Sequence, residues 1–304
     1  MACKLLVLPL PVGERSAWAK KWNYNLMTRL PDDFLKTVVF LYPSHEDASQ
    51  GRKTGGTGFL VSIMSEAVEG HYYYAITNRH VIEGGSTTVR VNRSDGSSEI
   101  IDSNETEWTL SETHDLAAIQ FAPNGTPFDI KYIGQEHFLD EATHAGLNVG
   151  VGDEIFVAGR LAGADGTVIN QPIYRFGRLA ANGTRIVDGQ ESFLAEARSI
   201  EGLSGAPVFL GINGMYIRPG VLAPARSRSW LLGVQWGFVH DEAPVFYKGQ
   251  DQATHIVKLN TGIMTVVPAW RLWSLLQSEP LVANRKAGDE IALKNGMPPR
   301  IGKE

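Results

Sequence analysis

The chain has 304 residues, with 28 Lys+Arg against 33 Asp+Glu, for a formal net charge of −5. At 43% hydrophobic and 20% charged it carries enough apolar material for packed cores and is no disordered chain, while its length points to about two units of roughly 150 residues each. The mild acidity argues against a nucleic-acid partner, which calls for a basic face, and 32 glycines favour a turn-rich β architecture over a helix bundle.

The first apolar run, Leu5 to Gly13, is broken by two prolines. It falls far short of the roughly 20 residues that span a bilayer. One lysine precedes it and no small-residue cleavage site follows, so it reads as a strand rather than an export signal or membrane anchor. Residues 1–33 read as an extension, partly helical from Ser16 to Met27. The lone cysteine, Cys3, permits no internal disulfide, and a cytoplasmic location is expected.

Short strand-like runs follow, separated by Gly, Asn or Asp turns. Lys36–Tyr42, Gly58–Met64, Tyr72–Thr77, Thr87–Asn92 and Leu116–Phe121 fall in a first unit, residues 34–125. Residues 126–146, rich in charge and glycine, read as a connector. Asp153–Gly159, Ile173–Leu179, Ser192–Ala197, Ala206–Leu210, Leu231–Gly237 and Ile263–Val267 fall in a second unit, residues 147–277. That unit closes with a helix over Pro268–Gln277, proline at its first position, on which Trp270 and Trp273 are core residues. Residues 278–304 read as a loosely held polar tail, with Arg285 and Lys286 solvated. Two sets of about six strands plus one helix predict an all-β fold of two antiparallel six-stranded barrels.

Three stretches carry residue types suited to chemistry. Tyr74–Ile82 (YAITNRHVI) is an apolar strand that ends by presenting His80. In His114–Ile119 (HDLAAI), Asp115 opens a buried-looking strand. In Glu201–Phe209 (EGLSGAPVF), Ser204 sits in a glycine-flanked turn, where the N–H groups of Gly202 and Ser204 can point together as an oxyanion hole. Acyl transfer needs these three types: a hydroxyl that loses its proton as it attacks, an imidazole that takes it near neutral pH, and a carboxylate that orients the imidazole. The eight histidines show no metal-ligand spacing, so neither metal nor cofactor is expected.

Taken together, these stretches resemble the trypsin-like (chymotrypsin-fold) serine peptidases, in particular their disulfide-free bacterial and cytosolic branch. The resemblance spans about Phe34 to Gln277. Gly55–Ser62 (GGTGFLVS) resembles the family's opening strand, Thr77–Val81 (TNRHV) its histidine motif, Asp115–Ala118 (DLAA) its aspartate motif and Gly202–Pro207 (GLSGAP) its nucleophile turn. Leu231–Gly237 (LLGVQWG) and Gly262–Pro268 (GIMTVVP) are similar to the strands that line the substrate site. The order His, Asp, Ser fits this family, whereas the α/β-hydrolase order differs. The resemblance implies His80 as general base and acid, Asp115 as its orienter and Ser204 as nucleophile. It also implies Gln235–Gly237 as a substrate-pairing strand with Trp236 as an apolar shelf. For the primary pocket it implies Arg198 and Ser199 at the base and Gly237 and Gly262 as walls. Either Arg198 faces an acidic substrate side chain, or it turns outward, pairs with Glu196 or Glu201 and leaves Ser199 to line a neutral pocket.

Leu203 stands where digestive members carry the aspartate that receives a freed N-terminal amine, so that activation route is not expected. Segment 211–230, with Arg218, Arg226 and Arg228, is either a gate open to a regulatory partner or a solvated loop. The resulting expectation is a selective serine endopeptidase acting on protein or peptide substrates, in regulation or host defence. The alternative is a catalytically silent module of the same fold that binds extended peptides.

Overall fold

The computed structural model describes residues 30, 32–53, 55–121, 127–211, 229–246 and 255–300. The expected N-terminal strand and helix, Cys3 and the arginines of segment 211–230 lie outside these residues.

A 3-10 turn at Asp32–Thr37 leads into the first sheet: β1 (Val38–Tyr42), β2 (Gly56–Met64), β3 (His71–Thr77), β4 (Thr88–Asn92), β5 (Ser98–Ile101), β6 (Thr109–Leu110) and β7 (Ala117–Gln120). Their order is β5-β4-β1-β2-β3-β7-β6, antiparallel throughout. The short β8 (Ile133–Gly134) adds to β2 in parallel. The second sheet holds β9 (Glu154–Gly159), β10 (Ile173–Leu179), β11 (Arg185–Val187), β12 (Gln190–Glu196), β13 (Pro207–Leu210), β14 (Trp230–Val245) and β15 (His255–Pro268). Six of these close into a ring, β9-β13-β14-β15-β12-β10, because β10 pairs with both β9 and β12. The fold is therefore mostly β, with one closed antiparallel six-stranded barrel, a second sheet and C-terminal helices.

Period-two burial explains how the two sheets share their cores. In the run VVFLY of β1 every residue is buried. Val39 and Leu41 join Leu60, Ala75, Val81 and Trp108 under the first sheet. Val38, Phe40 and Tyr42 face the other way, with Phe156, Phe209, Leu231 and Val267 from the barrel. On the barrel strands, Val157, Val208, Leu232 and Val266 fill the ring's interior. Strands buried on both faces read as continuous apolar runs rather than as alternation.

Several expectations need correction. The connector carries β8, a 3-10 turn at Gln135–His137 and a helix at Glu141–Gly146. β14 and β15 outrun the expected strands and pair from Gly233–Pro268 out to Val245–His255. Pro268 is the cap of the closing helix Ala269–Leu276, not its first residue. The loose tail is instead a 16-residue helix, Glu279–Lys294. It docks on β3 through a polar seam. The Asp289 carboxylate accepts from Ser65 Oγ at 2.7 Å and lies 2.7 Å from the Tyr72 hydroxyl. Arg285, buried rather than solvated, donates to Leu276 O at 2.8 Å and to the Tyr74 hydroxyl at 3.2 Å. Gly288 is needed for this close approach, since a Cβ there would sit 2.7 Å from the Tyr72 oxygen. No helix among the described residues is long and apolar enough to cross a membrane.

Candidate active site

β3 ends at Thr77 and runs into a five-residue helix, Arg79–Glu83, whose second residue is His80. His80 therefore sits on a helical turn just beyond the strand end. Asp115 lies in the bend before β7, which pairs with β3 through Thr77 and Ala117. That register brings imidazole and carboxylate together. Asp115 Oδ2 lies 2.5 Å from His80 Nδ1, and Oδ1 accepts the His80 backbone N–H at 2.9 Å. Two contacts to one residue fix the ring's position as well as its distance. Asp115 is held in turn: Asn78 Nδ2 donates to its carbonyl at 2.7 Å, and its N–H donates to Gln190 Oε1 at 2.8 Å from the barrel. His80 keeps 48% of its side chain exposed, against 13% for Asp115.

Ser204 lies in the turn before β13, with Gly202 at φ +90° and Gly205 at φ +86°. That left-handed backbone region favours glycine. Thr57 of β2 holds the turn from the first sheet. Its N–H donates to Ser204 O at 2.8 Å, and its Oγ1 donates to Gly202 O at 2.6 Å. Any Cβ on Gly205 would collide with Thr57 O and Thr77 Oγ1, so this close approach also requires glycine. Thr77 and Val81 flank His80 in sequence. An atom built on Gly56 would touch both Val81 and Ser204 O, at 2.9 and 3.1 Å. The serine turn and the His80 helix thus meet at one seam between the sheets. Among the described residues, Ser204 Oγ makes no hydrogen bond, and the N–H groups of Gly202 and Ser204 are unpaired. Leu203 is fully buried in the barrel core.

The specificity residues divide. Arg198 is exposed, and among the described residues no ion pair joins it to Glu196 or Glu201. Ser199 is buried, and its Oγ accepts from Gln235 Nε2 at 2.8 Å. Gln235 also donates to Gly237 O at 3.1 Å, while its own Oε1 has no partner. Gly262, at φ +85°, has open space where a Cβ would stand. Trp236 is half-buried, with its indole N–H donating to Ser192 Oγ at 3.0 Å. Thr57, Asn78 and Gln190 are contributors that sequence reasoning missed. Thr57 inside GGTGFLVS and Asn78 inside TNRHV carried a signal by position, while Gln190 carried none. Among the described residues no cluster of three or more His, Cys, Asp or Glu could hold a metal.

No protein-family model matches the chain, and no curated protein matches it.

Proposed function

We propose that this protein is a serine endopeptidase of chymotrypsin-like architecture, its first sheet serving as the counterpart of the closed barrel. The observation that carries this reading is the doubly held His80–Asp115 pair at the seam where the Ser204 turn abuts the first sheet. In this reading Asp115 keeps the His80 Nδ1–H directed at itself and leaves Nε2 free to accept the Ser204 proton as Oγ attacks a peptide carbonyl. The unpaired N–H groups of Gly202 and Ser204 receive the developing oxyanion. The protonated imidazole then gives its proton to the leaving amine, and water repeats the sequence to release the acyl group. A Ser204 hydroxyl without a hydrogen bond fits a free enzyme, in which catalytic hydrogen bonds form or tighten only once substrate is bound.

That missing hydrogen bond also favours a second reading, a silent module that binds extended peptides along β14. Fluorophosphonate labelling combined with peptide-library cleavage separates the two. Covalent labelling at Ser204, lost in Ser204→Ala together with peptide turnover, is expected. Equal turnover by wild type and Ser204→Ala overturns the peptidase reading.

A further inference from the structure

Behind the serine turn lies a cluster of charge that the proposed chemistry does not use. Arg160, at the end of β9, is 1% exposed, and Arg90 on β4 is fully buried. Both guanidinium groups lie over the Tyr42 ring, 4.6 and 4.8 Å from its centroid. Arg90 is bonded only to neutral oxygens: Ala48 O, Gly166 O, Thr167 O and Asn170 Oδ1, at 2.8–2.9 Å. Arg160 Nε pairs with the Asp165 carboxylate. Two buried cations therefore meet one buried anion. Arg160 Nη1 is buried with no partner, and so is the Tyr42 hydroxyl. A buried, unpaired donor on a charged group is costly.

Arg160 also lines an open cavity of about 780 Å³. The remaining wall is Gly51, Lys53 and the glycine-rich loop from Gly163 to Gln171. Arg160, with its unsatisfied guanidinium N–H, and Lys53, whose ammonium pairs with the Asp47 carboxylate at 3.2 Å, border one space. A guanidinium edge matches the two oxygens of a carboxylate or phosphate.

We propose that this cavity is a binding site for a small oxyanion, a phosphate- or carboxylate-bearing molecule seated on Arg160, and that its occupancy stiffens the serine turn. The connection is short. The Arg160 N–H donates to Thr57 Oγ1 at 3.1 Å, and that hydroxyl donates to Gly202 O at 2.6 Å. Neighbouring Gly159 packs on Leu203, where a Cβ would come within 2.7 Å of the leucine side chain. An anion that fixes Arg160 thus fixes the residue that orients Gly202. Neither binding nor stiffening depends on whether Ser204 is catalytic.

The test uses the full chain in phosphate-free buffer, titrated with inorganic phosphate or acetate against chloride at equal ionic strength. A saturable rise in melting temperature with phosphate, acetate or both is expected beyond any chloride effect, as binding to the folded state requires. The affinity should fall roughly tenfold or more in Arg160→Met. Should that variant not fold, Thr167→Glu, which brings a carboxylate to the exposed loop wall, gives the same loss. Hydrogen exchange of the segment 198–206 should slow with the bound anion in wild type and not in Thr57→Val. A rise matched by chloride, or unchanged affinity in Thr167→Glu, overturns the site. Exchange indifferent to a bound anion overturns the stiffening.

Discussion

Two side-chain pairs built on a carboxylate adjoin the serine turn, and they differ in what surrounds them. His80–Asp115 opens to water on its histidine side, while the Arg160 and Asp165 side chains are only 1% and 10% exposed, with the guanidinium over the Tyr42 ring at the cavity wall. Water can reach the imidazole of the first pair. In the second pair the guanidinium does not deprotonate in proteins, and losing the carboxylate would strand its charge. One pair is suited to moving protons and the other to holding a field and a backbone in place.

The largest expected effect breaks the first pair. Asp115→Asn keeps the shape but cannot hold the His80 Nδ1–H as an acceptor carboxylate does. The rate of fluorophosphonate labelling at Ser204 should fall by roughly four orders of magnitude, while the melting temperature shifts little. Full labelling in Asp115→Asn would remove the orienting role.

Breaking the second pair should show in stability instead. Asp165→Ala leaves Arg160 buried without its counter-charge, at a cost of about 3–5 kcal/mol in urea denaturation in phosphate-free buffer. The double variant Arg160→Met with Asp165→Leu should recover most of that loss. No recovery would mean that the arginine stabilises the fold beyond its pairing with Asp165.

A third, smaller effect sharpens the contrast by pH. Burial alone would raise the Glu191 pKa, but hydrogen bonds from Thr184 and Arg271 hold it below the ordinary carboxylate range. A lowered folded pKa means stability that is full above the unfolded value and is lost as pH falls through the folded one. Glu191→Gln should therefore lower the melting temperature at neutral pH and flatten its decline on acidification below the carboxylate range. An identical acid limb in variant and wild type would show that Glu191 contributes nothing to it.

The strand framework was legible because its signal is local. Runs such as VVFLY and IFVAG are apolar throughout, and strands buried on both faces require that. His80, Asp115 and Ser204 were legible because polar residues at the ends of such runs stand out. Thr57, Gln190 and Arg160 were not, since their meaning comes from register across sheets: Gln190 reaches Asp115 from 75 positions away. The helix Glu279–Lys294 was missed for a different reason. Of the three buried residues on its docking face, Leu281, Arg285 and Asp289, two are charged, so it shows no strong apolar stripe. The signals that were present were Ser278 at the cap, Pro280 in the first turn and Gly296 after the end.

That helix has a consequence for how the molecule assembles. Ser65 and Tyr72 meet Asp289 across 224 and 217 residues of chain, so this seam is among the most non-local contacts in the fold. Bringing such distant segments together costs loop entropy before any contact repays it, which makes the docking a late event. Until it occurs, the hydroxyls of Tyr72 and Tyr74 stay wet and the barrel-side face of the first sheet is incomplete. Substitutions at Arg285, Gly288 or Asp289 should accordingly speed unfolding far more than they slow folding. The helix acts as a latch on kinetic persistence rather than as part of the folding nucleus.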